Sequence, residues 1–218
     1  MPKYNLAREK RTSRKNRDAG KFIIYTEGSI TEPEYLRTWI DEYAKQKKIN
    51  QVKARYKFRI IPSSGETEPG KIVENILNDK RSYEDFDTLF VVFDEDDRSI
   101  SGKNKTNFLN AIEKATKNNI KVICSNRSIE LWALLHFEES APVDECSSKL
   151  SNYMPEYHPS RNKRFDVQKM LVGNKQELAK ERAKRLAQNN KDQGKNWYSR
   201  PSTNFYELIE AMEKKMQE

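Results

Sequence analysis

Four short stretches of the chain read as strands. They are Phe22-Ile23-Ile24-Tyr25, the segment from Tyr56 to Ile61, Leu89-Phe90-Val91-Val92-Phe93 and the segment from Ile120 to Cys124. Apolar runs of this length, rich in β-formers, suit strands buried on both faces. Between them, apolar residues recur at helical spacing. Tyr35, Leu36, Trp39, Ile40 and Tyr43 mark one helix. Ile72, Val73, Ile76 and Leu77 mark a second, and Phe108, Leu109, Ile112 and Ala115 a third. Thr31 and Glu34 have capping-box spacing ahead of the first, with Pro33 in its first turn. Residues 62–70 and 98–106 read as loops. The order β-α-β-α-β-α-β predicts an α/β fold with a mostly parallel sheet and flanking helices. In such sheets functional groups gather beyond the carboxyl ends of the strands.

After residue 127 the pattern changes. Ile129 to Phe137 is apolar and helix-like, but holds Glu130 and His136. From residue 144 helices and loops are expected, with a loop over 189–203, which contains Gly194 and Pro201. Ser202 and Thr203 read as the cap of a last amphipathic helix, with Phe205, Leu208, Ile209 and Met212 on one face. Residues 1–20 are basic without an apolar period, which predicts a flexible or loosely docked arm. The expected organisation is that arm, a core over 21–140, and a helical basic extension over 141–218 completing the same domain.

Composition adds a direction for the partner. The 218 residues carry 41 Lys and Arg against 33 Asp and Glu, a net charge of +8. A basic balance favours polyanions, nucleic acid first, although a merely soluble basic protein would look the same. Three Trp, ten Tyr and nine Phe are enough aromatics for an ordered core despite a low hydrophobic share of 35%. Cys124 and Cys146 fit neither a disulfide framework nor a zinc spacing, and Cys124 reads as a buried free thiol. No stretch has membrane-spanning length and no signal-type apolar region follows the N-terminus. A soluble, cytoplasmic protein with no membrane partner is expected.

The candidate chemistry is acidic. Glu27 follows the first strand, before Gly28, and Asp94-Glu95-Asp96-Asp97 follows the third. Mg²⁺ and Mn²⁺ prefer oxygen ligands, and Mg²⁺ usually takes one or two carboxylates while keeping waters and phosphates elsewhere. Asp94 and Asp96, spaced to share a side of an extended chain, suit that role. Asp97 is a further candidate ligand. Glu27 is a further ligand or a general acid/base. A solvated acidic loop is the plainer alternative, but four adjacent acids beside an apolar strand repel unless a cation or a basic residue compensates.

These residues also carry a resemblance. Thr26-Glu27-Gly28 with Thr31-Glu32-Pro33-Glu34-Tyr35-Leu36 is similar to the opening motif of the RloB-like family. Val92-Phe93-Asp94-Glu95-Asp96-Asp97 resembles its acidic second motif. Ser125-Asn126-Arg127-Ser128-Ile129-Glu130-Leu131-Trp132 through Phe137 resembles its third, and Arg200-Pro201-Ser202-Thr203 its C-terminal signature. The resemblance implies a Toprim-type fold like that of OLD-type nucleases, with Asp94 and Asp96 binding metal and Glu27 as general acid/base. It also implies a nuclease role in antiphage defence, often beside an ATPase partner. Arg127 and Ile129 depart from the usual third motif, and Arg200 from the usual fourth. The carboxylates are untouched, so the departures bear on substrate contacts.

Other residues carry weaker signals. Glu130, on an apolar segment, must be paired or hydrogen-bonded; it either faces the acidic site, pairs with a base such as Arg127, or is structural. His136 is a candidate proton carrier, though a lone His on an apolar helix is more often packed. Arg127, Arg182, Lys184, Arg185, Lys195 and Arg200 are candidate phosphate contacts, and Trp197 and Tyr198 candidate base stackers. The plainer reading of the basic 161–195 stretch is a solvated helical face. No Walker spacing exists, so any ATP dependence needs another chain. The leading expectation is a Mg²⁺- or Mn²⁺-dependent nuclease acting on DNA or RNA, tRNA included. The alternative is a regulatory subunit of an ATPase-containing complex, and a second copy of the chain is a further candidate partner. Primase- or topoisomerase-like chemistry is weaker, because no motif places a nucleophilic Tyr.

Overall fold

A computed structural model describes residues 20–83, 87–96, 98, 101–139 and 143–218. Most of the basic arm and Asp97 lie outside the described residues. Parallel strands β1 (Phe22–Thr26), β2 (Phe58–Pro62), β3 (Thr88–Asp94) and β4 (Ile120–Asn126) build the sheet. A two-residue strand, β5 (Ser202–Thr203), closes it antiparallel to β4, giving the order β2-β1-β3-β4-β5. The fold is therefore α/β with a mostly parallel sheet, as the alternation predicts.

The central strands are apolar over most of their length, yet they divide their side chains by the pleat. Ile23, Tyr25, Leu89, Val91 and Phe93 face helices α3 (Pro69–Asp79) and α4 (Gly102–Lys117). Ile24, Phe90, Val92 and Ile123 face the other way, into a larger core. That core contains the buried stripe of α1 (Thr31–Gln46), with Tyr35, Leu36, Trp39 and Ile40. It also takes in α5 (Ile129–Leu134), α6 (Cys146–Tyr153), α7 (Val167–Leu171), α8 (Lys175–Asp192) and α9 (Phe205–Gln217). The C-terminal segment thus shares one apolar layer with the sheet.

Several expectations shift. Tyr56 ends a short helix, α2 (Gln51–Tyr56), instead of starting a strand. Asn50 caps α2 by accepting from the Lys53 amide at 3.0 Å. With one buried residue, Ala54, α2 has no apolar period to betray it. Thr31 does not cap α1: it is already helical, behind Ile30. Helix α4 begins at Gly102, inside the expected 98–106 loop, and α8 runs to Asp192, inside the expected 189–203 loop.

The clearest addition is at the β4 edge. Ser125 and Asn126 pair with Thr203 and Ser202, joining two distant motifs. One residue on, the Asn204 side chain accepts from the Cys124 amide at 2.7 Å and donates to the Val122 carbonyl at 2.9 Å. It satisfies backbone groups that a longer β5 would otherwise pair. Ser202 and Thr203 are therefore strand residues, although Thr203 Oγ1 also accepts from the Phe205 amide at 3.2 Å. Among the described residues no helix is long and apolar enough to cross a membrane.

Candidate metal centre

The carboxyl ends of β1 and β3 are neighbours, so Glu27 and Asp94 meet by topology. The Glu27 amide donates to the Val92 carbonyl at 2.8 Å, continuing the β1–β3 ladder by one residue. The Asp94 amide in turn donates to Glu27 Oε2 at 3.2 Å. Asp94 follows Val92 on the pleat and so faces the side of α1 and α5. There it meets the charges of Glu32 and Glu130 as well as those of Asp96 and Glu27. Burial, then these neighbours, hold the Asp94 carboxyl well above the usual range.

Asp96 is placed differently from the sequence expectation. The chain does not stay extended after Asp94: Asp96 sits at φ 45°, in the left-handed region, with its amide on the Arg127 carbonyl at 3.1 Å. Asp tolerates this conformation better than most residues. Asp96 is exposed as a residue, although its carboxyl is partly shielded. Partial burial pushes it up; Arg98 and Arg127 oppose this, and Glu130 adds to it.

Glu32 is a member that sequence reasoning passed over, although it stands within the first motif. It is 4% exposed in the first turn of α1, and its carboxylate accepts from the Gly28 amide at 3.1 Å. Burial, with the charges of Glu27 and Glu130, pushes it up to about 7. The signal was a carboxylate in a helical first turn four residues after a glycine. A Cβ at Gly28 would stand 1.9 Å from Glu32 Oε2. Gly28→Ala is therefore expected to displace the Glu32 carboxylate, the movable end of its side chain, and to destabilise by about 1 kcal/mol at most. An unchanged denaturation midpoint would show that this seat is not needed.

Glu130 faces the acidic group, as one of its three expected placements has it. Its Oε1 accepts from the buried Tyr157 hydroxyl at 2.6 Å. Arg127 instead reaches Asp144 at 3.0 Å. Arg200 approaches the same Asp144 at 3.8 Å and donates to Asn126 Oδ1 at 3.3 Å. Arg127 and Arg200, from two motifs, thus flank the end of β4 beside the carboxylates.

The main cation of the site is Arg98, which no sequence signal singled out. Its Nη2 donates to Glu27 Oε1 at 2.6 Å and its Nη1 to Oε2 at 3.0 Å. The same two nitrogens reach the Thr67 and Asp94 carbonyls at 3.1 and 2.6 Å. Burial pushes the Glu27 carboxyl up, and Arg98 partly offsets it.

The remaining candidates are not brought to this site. His136 is 1% exposed, its Nδ1 lies 3.0 Å from the Trp132 carbonyl, and its ring stands edge-on to Trp132. Burial pushes it down to about 4, and the nearby charges are Arg182 and Lys175. That is the packed reading of His136. Arg182 donates to the Leu135 carbonyl at 2.7 Å. Lys184 pairs with Glu210 at 2.5 Å and Arg185 with Glu139 at 3.2 Å. These α8 bases are engaged within the chain, while Lys195 is exposed beyond the helix. Tyr198 packs against Phe108, leaving Trp197, 41% exposed, as the freer aromatic. A groove of about 660 Å³ runs along the free edge of β4, lined in part by Lys121, Trp197 and Tyr206; the carboxylates do not line it.

The donor set fits a hard divalent cation in its chemistry. Glu27, Glu32, Asp94, Asp96 and Glu130 gather from four elements, burial and neighbouring charge raise the first four, and oxygen is the preferred donor. Among the described residues, however, no three His, Cys, Asp or Glu side chains stand as a finished ligand set. Glu27 is turned to Arg98 instead.

No curated protein and no solved structure matches the chain. A family model described as RloB-like protein matches residues 22–212, from the first residue of β1 into α9 and across every motif described above. With strand ends carrying Glu27 and Asp94 side by side, and β4 and β5 joining the third and fourth motifs, the chain belongs to the RloB-like family.

Proposed function

We propose that this chain is a divalent-metal-dependent nuclease with a Toprim-like site, cleaving phosphodiester bonds in RNA such as tRNA, or in DNA. The observation that carries this is the gathering of Glu27, Asp94 and Asp96 at the carboxyl ends of adjacent parallel strands, with Glu32 and Glu130 behind them. Asp94 and Asp96 would hold the ion, with Glu27 as a further ligand or as the general acid/base. When bound, Mg²⁺ or Mn²⁺ would neutralise phosphate charge and acidify a water. Glu27, its carboxyl raised by burial with Arg98 opposing, is suited to hold and move a proton. Arg127 and Arg200 are placed to meet phosphate beside it. RloB-like membership supports a place in antiphage defence, beside an ATPase partner.

The test is incubation of the purified chain with labelled tRNA, single-stranded DNA and duplex DNA, with Mg²⁺, Mn²⁺ or EDTA. Metal-dependent cleavage of one substrate is expected, and its loss in Glu27→Ala and Asp96→Ala variants that keep the fold. Undiminished cleavage by both variants would sink the mechanism. A second reading, a regulatory subunit acting through an effector, draws on the engagement of Glu27 by Arg98. It predicts binding of nucleic acid or nucleotide with no cleavage at any metal concentration.

A further inference from the structure

We propose that Arg98 is a built-in counter-cation that holds Glu27 in the metal-free protein and competes with a divalent ion for that carboxylate. The proposal rests on the metal-site reading above and adds how that site is kept until an ion arrives.

Both oxygens of Glu27 are taken by one guanidinium, at 2.6 and 3.0 Å. The pair is shielded: the Arg98 side chain is 20% exposed and that of Glu27 10%. Exposed ion pairs exchange freely with water, but a shielded carboxylate stripped of its partner is left as a costly unpaired charge. Another cation can take the place of Arg98 at far lower cost than water can. A divalent ion brings twice the charge and prefers carboxylate oxygen.

The exchange needs no large rearrangement. Arg98 keeps two further acceptors, the Asp94 carbonyl at 2.6 Å and the Thr67 carbonyl at 3.1 Å. These hold its guanidinium on a ledge between the end of β3 and the segment before α3. Glu27 can therefore turn away while Arg98 remains beside the site. The Arg98 amide donates to the Glu95 carbonyl at 2.8 Å, so the turn that carries ligand Asp96 carries the competitor too. The charge of Arg98 also reaches Asp94 and Asp96, so it partly neutralises the acidic group as a whole.

The experiment is Mn²⁺ binding by the full chain, followed by electron paramagnetic resonance and calorimetry. It compares wild type, Arg98→Gln, Glu27→Gln, the double variant and Asp94→Asn. Arg98→Gln is expected to bind Mn²⁺ on the order of tenfold more tightly than wild type. In the Glu27→Gln background the same change should gain clearly less, about threefold at most, because the contested carboxylate is gone and only the longer-range charge remains. An unchanged or weaker affinity in Arg98→Gln overturns the proposal. So does an equal gain in both backgrounds, which would mark Arg98 as a distant charge only. If Arg98→Gln does not fold, Arg98→Lys carries the same comparison, since lysine cannot grip both oxygens. Wild-type binding that Asp94→Asn abolishes keeps the metal-site reading standing whatever Arg98 does. No Mn²⁺ bound by wild type or by Arg98→Gln overturns that reading and the proposal with it.

Discussion

Asp94→Asn is expected to abolish metal-dependent cleavage and, at the same time, to make the metal-free protein more stable. The two effects have one cause. Asp94 lies where burial and the charges of Glu32, Glu130, Asp96 and Glu27 all oppose its ionisation. Asparagine keeps the shape and removes the charge, so repulsion falls. On the proposed function the metal would lose a ligand at the strand end, and several kcal/mol of transition-state stabilisation would go with it, about a thousandfold in rate or more. For a chain of this size each kcal/mol of relieved repulsion raises Tm by about 2–4 °C. A melting curve with EDTA and a cleavage assay with Mg²⁺ read the two effects separately. Loss of activity with a lowered Tm in EDTA would mean that Asp94 is a structural residue.

Glu32→Gln is expected to stabilise the metal-free protein at about pH 8 by on the order of 3 kcal/mol, and to change it little near pH 4. Glu32 is pushed from the usual carboxylate range up to about 7, with burial the largest cause. The native state then binds more protons than the unfolded chain between roughly pH 4 and 7. Its contribution is therefore fully present below the unfolded pKa and is lost as pH rises through 7. Glutamine cannot ionise and still offers an oxygen to the Gly28 amide, so the variant escapes the loss. His136, pushed down to about 4, has the opposite sign: its contribution is present above the unfolded pKa and lost as pH falls through 4. The two opposing slopes make the bare stability profile of the protein a poor test. The difference between Glu32→Gln and wild type cancels His136 and leaves Glu32 together with the Asp94 carboxyl that its charge raises. Urea midpoints at both pH values, in EDTA, measure it; an equal difference at the two would refute the assignment.

The alternation of strands and helices was legible because buried parallel strands leave continuous apolar runs and amphipathic helices leave a 3.6-residue period. Glu27, Asp94 and Asp96 were legible as a candidate group because functional residues gather beyond the carboxyl ends of such strands and adjacent acids repel unless a charge compensates. Three features were not. Helix α2 is short and nearly unburied, so its only mark is the Asn50 cap. Strand β5 is two residues long, and Asn204 supplies by side chain what a third residue would supply by backbone. The α8 bases looked available to phosphate until Glu210 and Glu139, each more than twenty residues away, were found against Lys184 and Arg185.

By itself the sequence determined the α/β order, the strand ends and the acidic character of the site. It did so because periodicity and local charge are properties of neighbouring residues. Only the tertiary structure decided which strands lie side by side, and hence that Glu27 meets Asp94. It also brought in Glu32 and Glu130 from two helices and set Arg98, seventy-one positions from Glu27, onto that carboxylate. Those choices depend on burial and on long-range pairing, where a charge takes whichever partner the fold places within reach.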